Sequence, residues 1–266
     1  MIDFLGIGAQ KAGTTWLFER LNENPQIHFP AGKEVHFWDT YPQNGKNLNW
    51  WLELFPADSF KRKQGEITPA YALFDQPKIK KLKDLLPDLL FFYSIRNPIA
   101  RAWSQAMMAL RIGRLAGIPY NEAVVADFLK SPGVWGRGDY VSTITNWAKV
   151  FPPEQLHIIV FDDIIRQPTA VLTALCRFLG VDPAIPAAAE TVLTTPVFAG
   201  PQWDVPIPLL DLLRMQYRPV IERMPELIGR DVSHWLEWDG RRSSATSPPP
   251  TPPLPTIAIA ALRSGG

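Results

Sequence analysis

Two stretches of this chain combine residue types and spacings that could do chemistry. In the first, Gly8-Ala9-Gln10-Lys11-Ala12-Gly13-Thr14-Thr15 lies between an apolar run and a helically spaced segment. Its glycines permit a close backbone approach to an anion, and the amides of the loop and the following helix start can face that anion. Lys11, Thr14 and Thr15 add a cation and two hydroxyl donors. A nucleotide-hydrolysing phosphate loop, GxxxxGK[ST], places lysine directly after the second glycine and a hydroxyl on magnesium. Here Thr14 stands in the lysine's place and the lysine has moved back to Lys11. Arg96, not an aspartate, ends the second apolar strand, so anion binding survives in this pattern and a magnesium partner does not. Arg96 offers a planar fork for phosphate, and Ser104, eight residues on, a hydroxyl. Taken singly, these features are a glycine turn, a salt-bridging arginine and a helix-surface serine; together they favour an anion site without metal.

The second stretch is Lys33-Glu34-Val35-His36-Phe37-Trp38-Asp39. If it is extended, Glu34 and His36 share a face, and a positioned carboxylate there could take a proton from an acceptor. Glu34 is the favoured base and His36 its rival, with a surface pair between Glu34 and Lys33 as the plain alternative. Phe37, Trp38, Trp50, Trp51 and Tyr71 could form a platform for a sugar or apolar acceptor, although core packing is the default for most of them.

The elements that must hold these residues follow a repeating order. DFLGIG (3–8), DLLFFYSIR (88–96) and LHIIVFD (156–162) read as buried strands. Each is followed by a helix: TTWLFERLNENP, ARAWSQAMMALR after Asn97-Pro98, and PTAVLTALCRFLG with Pro168 in its first turn and Gly180 as its cap. The alternation predicts an α/β fold, a P-loop-like parallel β-sheet flanked by helices on both faces. Residues 29–75 are expected to connect two units over the carboxyl ends of the strands, where ligands bind. Residues 207–224 read as a further helix, 229–238 as a Trp-anchored closing segment, and the proline-rich 241–266 as a disordered tail.

With 27 basic and 26 acidic residues the chain carries a formal charge of +1, which gives no general reason to seek nucleic acid or anionic membrane. Every lysine lies at or before Lys149, so an anionic ligand is sought in the first part of the chain. No window approaches 18 consecutive apolar residues and no signal-peptide layout opens the sequence, so a soluble, cytoplasmic protein without an integral membrane segment is expected. The single cysteine, Cys176, falls in an apolar-periodic stretch and is expected in the core.

QKAGTTWL and YSIRNPIARAWSQ together resemble the two cofactor motifs of the sulfotransferases that use 3′-phosphoadenosine-5′-phosphosulfate (PAPS). The resemblance continues through KEVHFWD, ITPAY, GDYVSTITNWAKVFPPEQLHIIVFDDI, FLGV and GRDVSHWLEW, spanning roughly residues 3–240. The KEVHFWD block is most similar to the heparan sulfate glucosaminyl sulfotransferase branch and its bacterial relatives. The resemblance implies the sulfotransferase fold, a single domain over 1–240, PAPS as co-substrate with 3′,5′-ADP released, and no required metal. It assigns Lys11, Ala12, Gly13, Thr14 and Thr15 to the 5′-phosphosulfate, Arg96 and Ser104 to the 3′-phosphate, and Trp16 to the adenine pocket. Glu34 inherits the role of base, with His36 and Asp39 supporting it, and Lys11 faces the leaving phosphate.

Two departures bear on the acceptor. The glucosaminyl 3-O-sulfotransferases carry a lysine before Pro-Ala-Tyr, where this chain reads Glu66-Ile67-Thr68-Pro69-Ala70-Tyr71. The late basic loop that often closes over the 3′-phosphate is missing, since TTPVFAGPQWD (194–204) holds no basic residue; Arg137, Arg214 and Arg218 are the candidates to compensate. The acceptor is thus left open among carbohydrates, lipid headgroups, natural products and small alcohols, with transfer to a hydroxyl or amine, in a bacterial enzyme. The rival readings are a P-loop kinase-like phosphotransferase and a catalytically degenerate 3′,5′-ADP-binding module.

Overall fold

The computed structural model describes residues 1–40, 43, 45–57, 60–113, 115–118, 120–183 and 204–241. They form two units, Met1–Arg96 with 146–183, and Asn97–Thr145 with 204–241.

The first unit opens with strand β1 (Phe4–Gly8), the glycine loop and helix α1 (Thr14–Asn22). A short strand β2 (Ile27–His28) follows, then α2 (Phe37–Thr40), α3 (Leu48–Glu53), β3 (Lys63–Ile67), a 3₁₀ turn over Pro69–Leu73, α4 (Gln76–Leu85) and β4 (Leu90–Ile95). The chain then builds the second unit from α5 (Pro98–Ile112), α6 (Glu122–Lys130), α7 (Pro132–Gly136) and the start of α8 (Tyr140–Ala148). It returns to the first unit for β5 (Leu156–Val160), α9 (Phe161–Arg166) and α10 (Pro168–Leu179). Helix α11 (Ile207–Ile228) and a 3₁₀ turn over Ser233–Glu237 complete the second unit.

All five strands are parallel, in the order β2-β3-β1-β4-β5. Side chains alternate across the sheet, and β4 shows the consequence. Phe92 joins the cluster of Phe4, Leu17, Leu21, Leu172 and Leu175, which packs α1 and α10 on one face. Its neighbour Phe91 meets Trp147 and Phe151 at ring-centroid distances of 4.7 and 5.0 Å on the other. The strands pack closely because glycines face large rings: a Cβ on Gly65 would lie 2.1 Å from the Phe4 ring.

The three strands expected from the sequence are β1, β4 and β5, and Pro168 and Gly180 start and cap α10 as anticipated, Gly180 at φ 72°. Residues 29–75 differ from the expected plain connection, because they contain β3 and pair it directly beside β1. The predicted helix at 207–224 runs on to Ile228, where Gly229 caps it in the left-handed region. Cys176 is buried as expected, and burial raises its thiol pKa. The tail from residue 242, and the late loop apart from Asp204, lie outside the described residues.

In the second unit, Arg101 is fully buried and donates to Gln105 Oε1 (2.7 Å) and the Val134 carbonyl (2.8 Å). Tyr217 donates to the same carbonyl at 3.2 Å. Trp235 is buried, the anchor expected of the closing segment, and its carbonyl accepts from Asn97 Nδ2 at 2.8 Å. No helix among the described residues is long and apolar enough to cross a membrane.

Candidate active site

The loop between β1 and α1 has the backbone of an anion cradle. Lys11 adopts φ 71° and Gly13 φ 85°, both in the left-handed region, a pattern that turns successive amides toward one side. Gly13 is the N-cap residue and has no side chain to cap α1; the first intrahelical bond runs from Leu17 N–H to Gly13 O at 3.0 Å. The amides of the first helical turn have no intrahelical acceptor by construction, and the helix dipole adds to their positive potential. Close packing reinforces the glycine requirement, since a Cβ on Gly13 would lie 3.0 Å from the Phe161 ring.

Strand β4 holds this loop from beside it. The Ser94 carbonyl accepts the Ala9 N–H at 2.6 Å, and the Ser94 hydroxyl donates to the Ala12 carbonyl at 2.5 Å. Arg96 Nη1 donates to the Lys11 carbonyl at 3.2 Å, with its guanidinium 4.8 Å from the Phe161 ring centroid. The structure therefore brings Arg96 to the loop, as the sequence pattern anticipated. Lys11, Thr15 and Arg96 are partly exposed, whereas Ala12 and Thr14 are buried. Trp16, assigned to adenine by resemblance, packs in the apolar cluster with Phe4 and Leu17 and keeps 6 % of its surface exposed. Ser104 is partly exposed on α5 in the second unit.

The second candidate stretch is not extended, which corrects the sequence-based expectation. Glu34 and His36 have φ of 61° and 54°, and residues 37–40 are helical. Both side chains nevertheless meet, because paired left-handed turns bring them back together: His36 Nε2 lies 3.5 Å from Glu34 Oε2. Asp39 Oδ2 lies 2.8 Å from His36 Nδ1, an arrangement that orients the ring toward Glu34. Lys33 Nζ donates to Glu34 Oε1, so the plain pairing and the constellation are both present. Glu34 is 42 % exposed at its side chain and open to a reactant.

Tertiary bonds hold this strained backbone. Glu34 N–H donates to the Ile67 carbonyl at 3.0 Å, and Trp38 N–H to the Tyr71 hydroxyl at 3.4 Å. Beneath them lies a buried network that sequence reasoning did not find. Glu66 is fully buried; its Oε1 accepts from Thr68 (2.8 Å) and from Tyr71, and its Oε2 from Trp51 Nε1 (3.0 Å). Burial raises the Glu66 pKa against these hydrogen bonds, and the nearby Asp39 charge raises it further. Ile67, in the Glu66–Tyr71 block, is also fully buried.

The aromatic platform resolves into core. Phe37, Trp38 and Trp51 are buried and pack on one another, Tyr71 is buried against Phe74, and Trp50 is partly exposed with Lys46 Nζ 3.6 Å above its ring. The arginines proposed to replace the late basic loop are engaged within the second unit. Arg214 donates to the Trp238 carbonyl at 2.9 Å, Arg218 lies 3.4 Å from Glu222, and Arg137 donates to the Gly133 carbonyl.

A family model described as a sulfotransferase domain matches residues 2–198. Human heparan sulfate glucosamine 3-O-sulfotransferase 5 is 28% identical over 192 residues, covering 67% of this chain and 53% of that protein. The human bifunctional heparan sulfate N-deacetylase/N-sulfotransferase 2 is 25% identical over 195 residues, covering 68% of this chain and 22% of that protein. The chain thus spans about half the length, or less, of these curated relatives. Among solved structures, a sulfotransferase from Alicyclobacillus acidocaldarius superposes with a TM-score of 0.70 at 25% identity, covering 88% of this chain and 98% of that one.

Proposed function

Because the chain belongs to the sulfotransferase family, we propose that it transfers the sulfonate group of PAPS to a hydroxyl or amine of an acceptor and releases 3′,5′-ADP. The observation that carries this reading is the Lys11–Gly13 loop, bent in the left-handed region before an uncapped helix start and held by Arg96. In the reaction the sulfur–oxygen bond to the 5′-phosphate breaks as the bond to the acceptor forms, with charge building on the leaving phosphate. Lys11 and the loop amides stabilise that charge, and Thr14 and Thr15 add hydroxyl donors. Arg96 holds the 3′-phosphate in this proposal, and Trp16 meets the adenine.

Glu34 takes the acceptor proton, while Asp39 orients His36 beside it. The 3.5 Å contact between His36 and Glu34 supports this division of roles. The similarity to enzymes named for heparan sulfate supports a carbohydrate acceptor, whereas the lack of a lysine in the Glu66–Tyr71 block weighs against the same acceptor contacts. Residues 1–240 act as one functional domain in this reading, supported by the span of the family motifs; the enzyme is read as bacterial and cytoplasmic, and the bacterial source of the solved relative supports the first of these.

Calorimetric titration tests the cofactor class. We expect 3′,5′-ADP to bind without magnesium and Lys11→Ala to weaken it by about 10- to 100-fold, the range for losing a charged hydrogen bond. Preferential, magnesium-dependent binding of ATP would overturn the reading in favour of phosphoryl transfer. Labelled PAPS with a panel of oligosaccharides, lipid headgroups and small alcohols then identifies the acceptor.

A further inference from the structure

Ser94 grips the phosphate loop at both shoulders. It lies in β4, fully buried, in the apolar run Leu90–Ile95. Its carbonyl accepts the Ala9 N–H where the loop leaves β1, and its hydroxyl donates to the Ala12 carbonyl just before α1 begins. The peptide group is planar and trans, so fixing the Ala12 carbonyl toward β4 turns the Gly13 N–H the opposite way, away from the strand. The neighbouring peptide is fixed from the same strand end, by Arg96 Nη1 on the Lys11 carbonyl. Between these two bonds the loop keeps Lys11 and Gly13 at positive φ; lysine, unlike glycine, adopts that conformation only at a cost.

From this geometry we infer that Ser94 is a positioning residue for 5′-phosphate recognition. It acts through the Ala12–Gly13 peptide and Lys11 and touches no part of the ligand itself. The inference rests on the PAPS reading of the loop. It assigns the Ser94 hydroxyl a task that a buried strand serine has no need to perform for the sheet, whose ladder uses only its backbone. It also separates two parts of the site: Ser94 serves the 5′ end of the nucleotide, and the 3′-phosphate falls to other residues.

The test compares two ligands that differ only in the 5′-phosphate, 3′,5′-ADP and adenosine 3′-phosphate, titrated into wild type, Ser94→Ala and Ser94→Thr. Ser94→Ala keeps the backbone bond to Ala9 and removes only the hydroxyl. The expected result is a loss of about tenfold in affinity for 3′,5′-ADP, the upper range for one neutral hydrogen bond, with adenosine 3′-phosphate affinity held within about twofold. Ser94→Thr, which retains the hydroxyl, restores 3′,5′-ADP binding. Equal weakening of both ligands by Ser94→Ala, or an unchanged 3′,5′-ADP affinity, overturns the inference, as does a threonine variant as weak as the alanine one. Failure of wild type itself to bind 3′,5′-ADP is a different outcome, which overturns the cofactor reading and this inference with it.

Discussion

Glu34 and His36 meet at 3.5 Å, so the division of labour between them can be decided by removing each in turn. If Glu34 takes the acceptor proton, Glu34→Gln lowers the transfer rate by about 10²- to 10⁴-fold, the usual contribution of a positioned base. Nucleotide affinity is expected to stay within about twofold, because the variant leaves the phosphate loop intact. His36→Gln is expected to cost less, through lost orientation. Labelled PAPS with the acceptor found by screening measures both, and a larger loss at His36 would exchange the two roles. Glu34 and His36 were singled out in the sequence as a carboxylate and an imidazole two residues apart, and the family resemblance gave them their proposed roles. Their conformation was not legible. Glu34 and His36 occupy the left-handed region only because Ile67, Tyr71 and the residues of β3 hold the segment from outside it, and a tertiary constraint leaves no local trace. Ser94 was hidden for the opposite reason: one hydroxyl within FFYSI reads as a tolerated polar residue in a buried strand.

At the scale of elements, β1, β4, β5 and the helices after them were legible from apolar runs bounded by glycine and proline. Strand β3 was not, because KQGEI is polar by composition. It is buried because its polar groups find partners inside: Gln64 N–H donates to Asp3 Oδ2 at 2.8 Å, and Glu66 is enclosed by Trp51, Thr68 and Tyr71. Such pairing joins residues from 2 to 61 positions apart, which periodicity does not register. Helix α5 depends on one residue at its start. Asn97 is its N-cap, accepting the Ile99 N–H on Oδ1 at 3.0 Å while Nδ2 donates to the Trp235 carbonyl at 2.8 Å. Asn97→Ala removes the cap and one tie between α5 and the closing turn of the same unit. The expected cost is about 2 kcal/mol, checked by the urea midpoint at unchanged m-value. A cost near zero would mean that Pro98 at the first helical position suffices to start the helix.

For the molecule as a whole, partly buried His157 and fully buried Glu66 in the first unit predict stability that falls on both sides of an optimum. His157 stacks on Phe178 at a centroid distance of 5.1 Å, and burial lowers its pKa from 6.5 to about 4. Its folded pKa lies below its unfolded one, so its contribution is complete above pH 6.5 and is lost as pH falls toward about 4, where the unfolded chain binds the extra proton. Glu66 works in the other direction. Its folded pKa is raised above 4.5, chiefly by burial, so its contribution is present below that value and is lost as pH rises through the raised pKa. The two windows can be separated by substitution. His157→Phe, which preserves the stack, is expected to flatten the decline in urea midpoint between pH 6.5 and 4. Glu66→Gln, whose amide can still accept from Trp51 and meet the rotatable hydroxyls of Thr68 and Tyr71, is expected to gain on wild type as pH rises above 4.5. Parallel curves for wild type and Glu66→Gln across that range would show Glu66 equally ionised in both states, contrary to the effect of its burial. Because Glu66 lies beneath the segment that carries Glu34, the same titration changes the support of the candidate base. A decline in transfer rate with rising pH that moves in Glu66→Gln, with nucleotide affinity unchanged, would connect the stability of this unit to its chemistry.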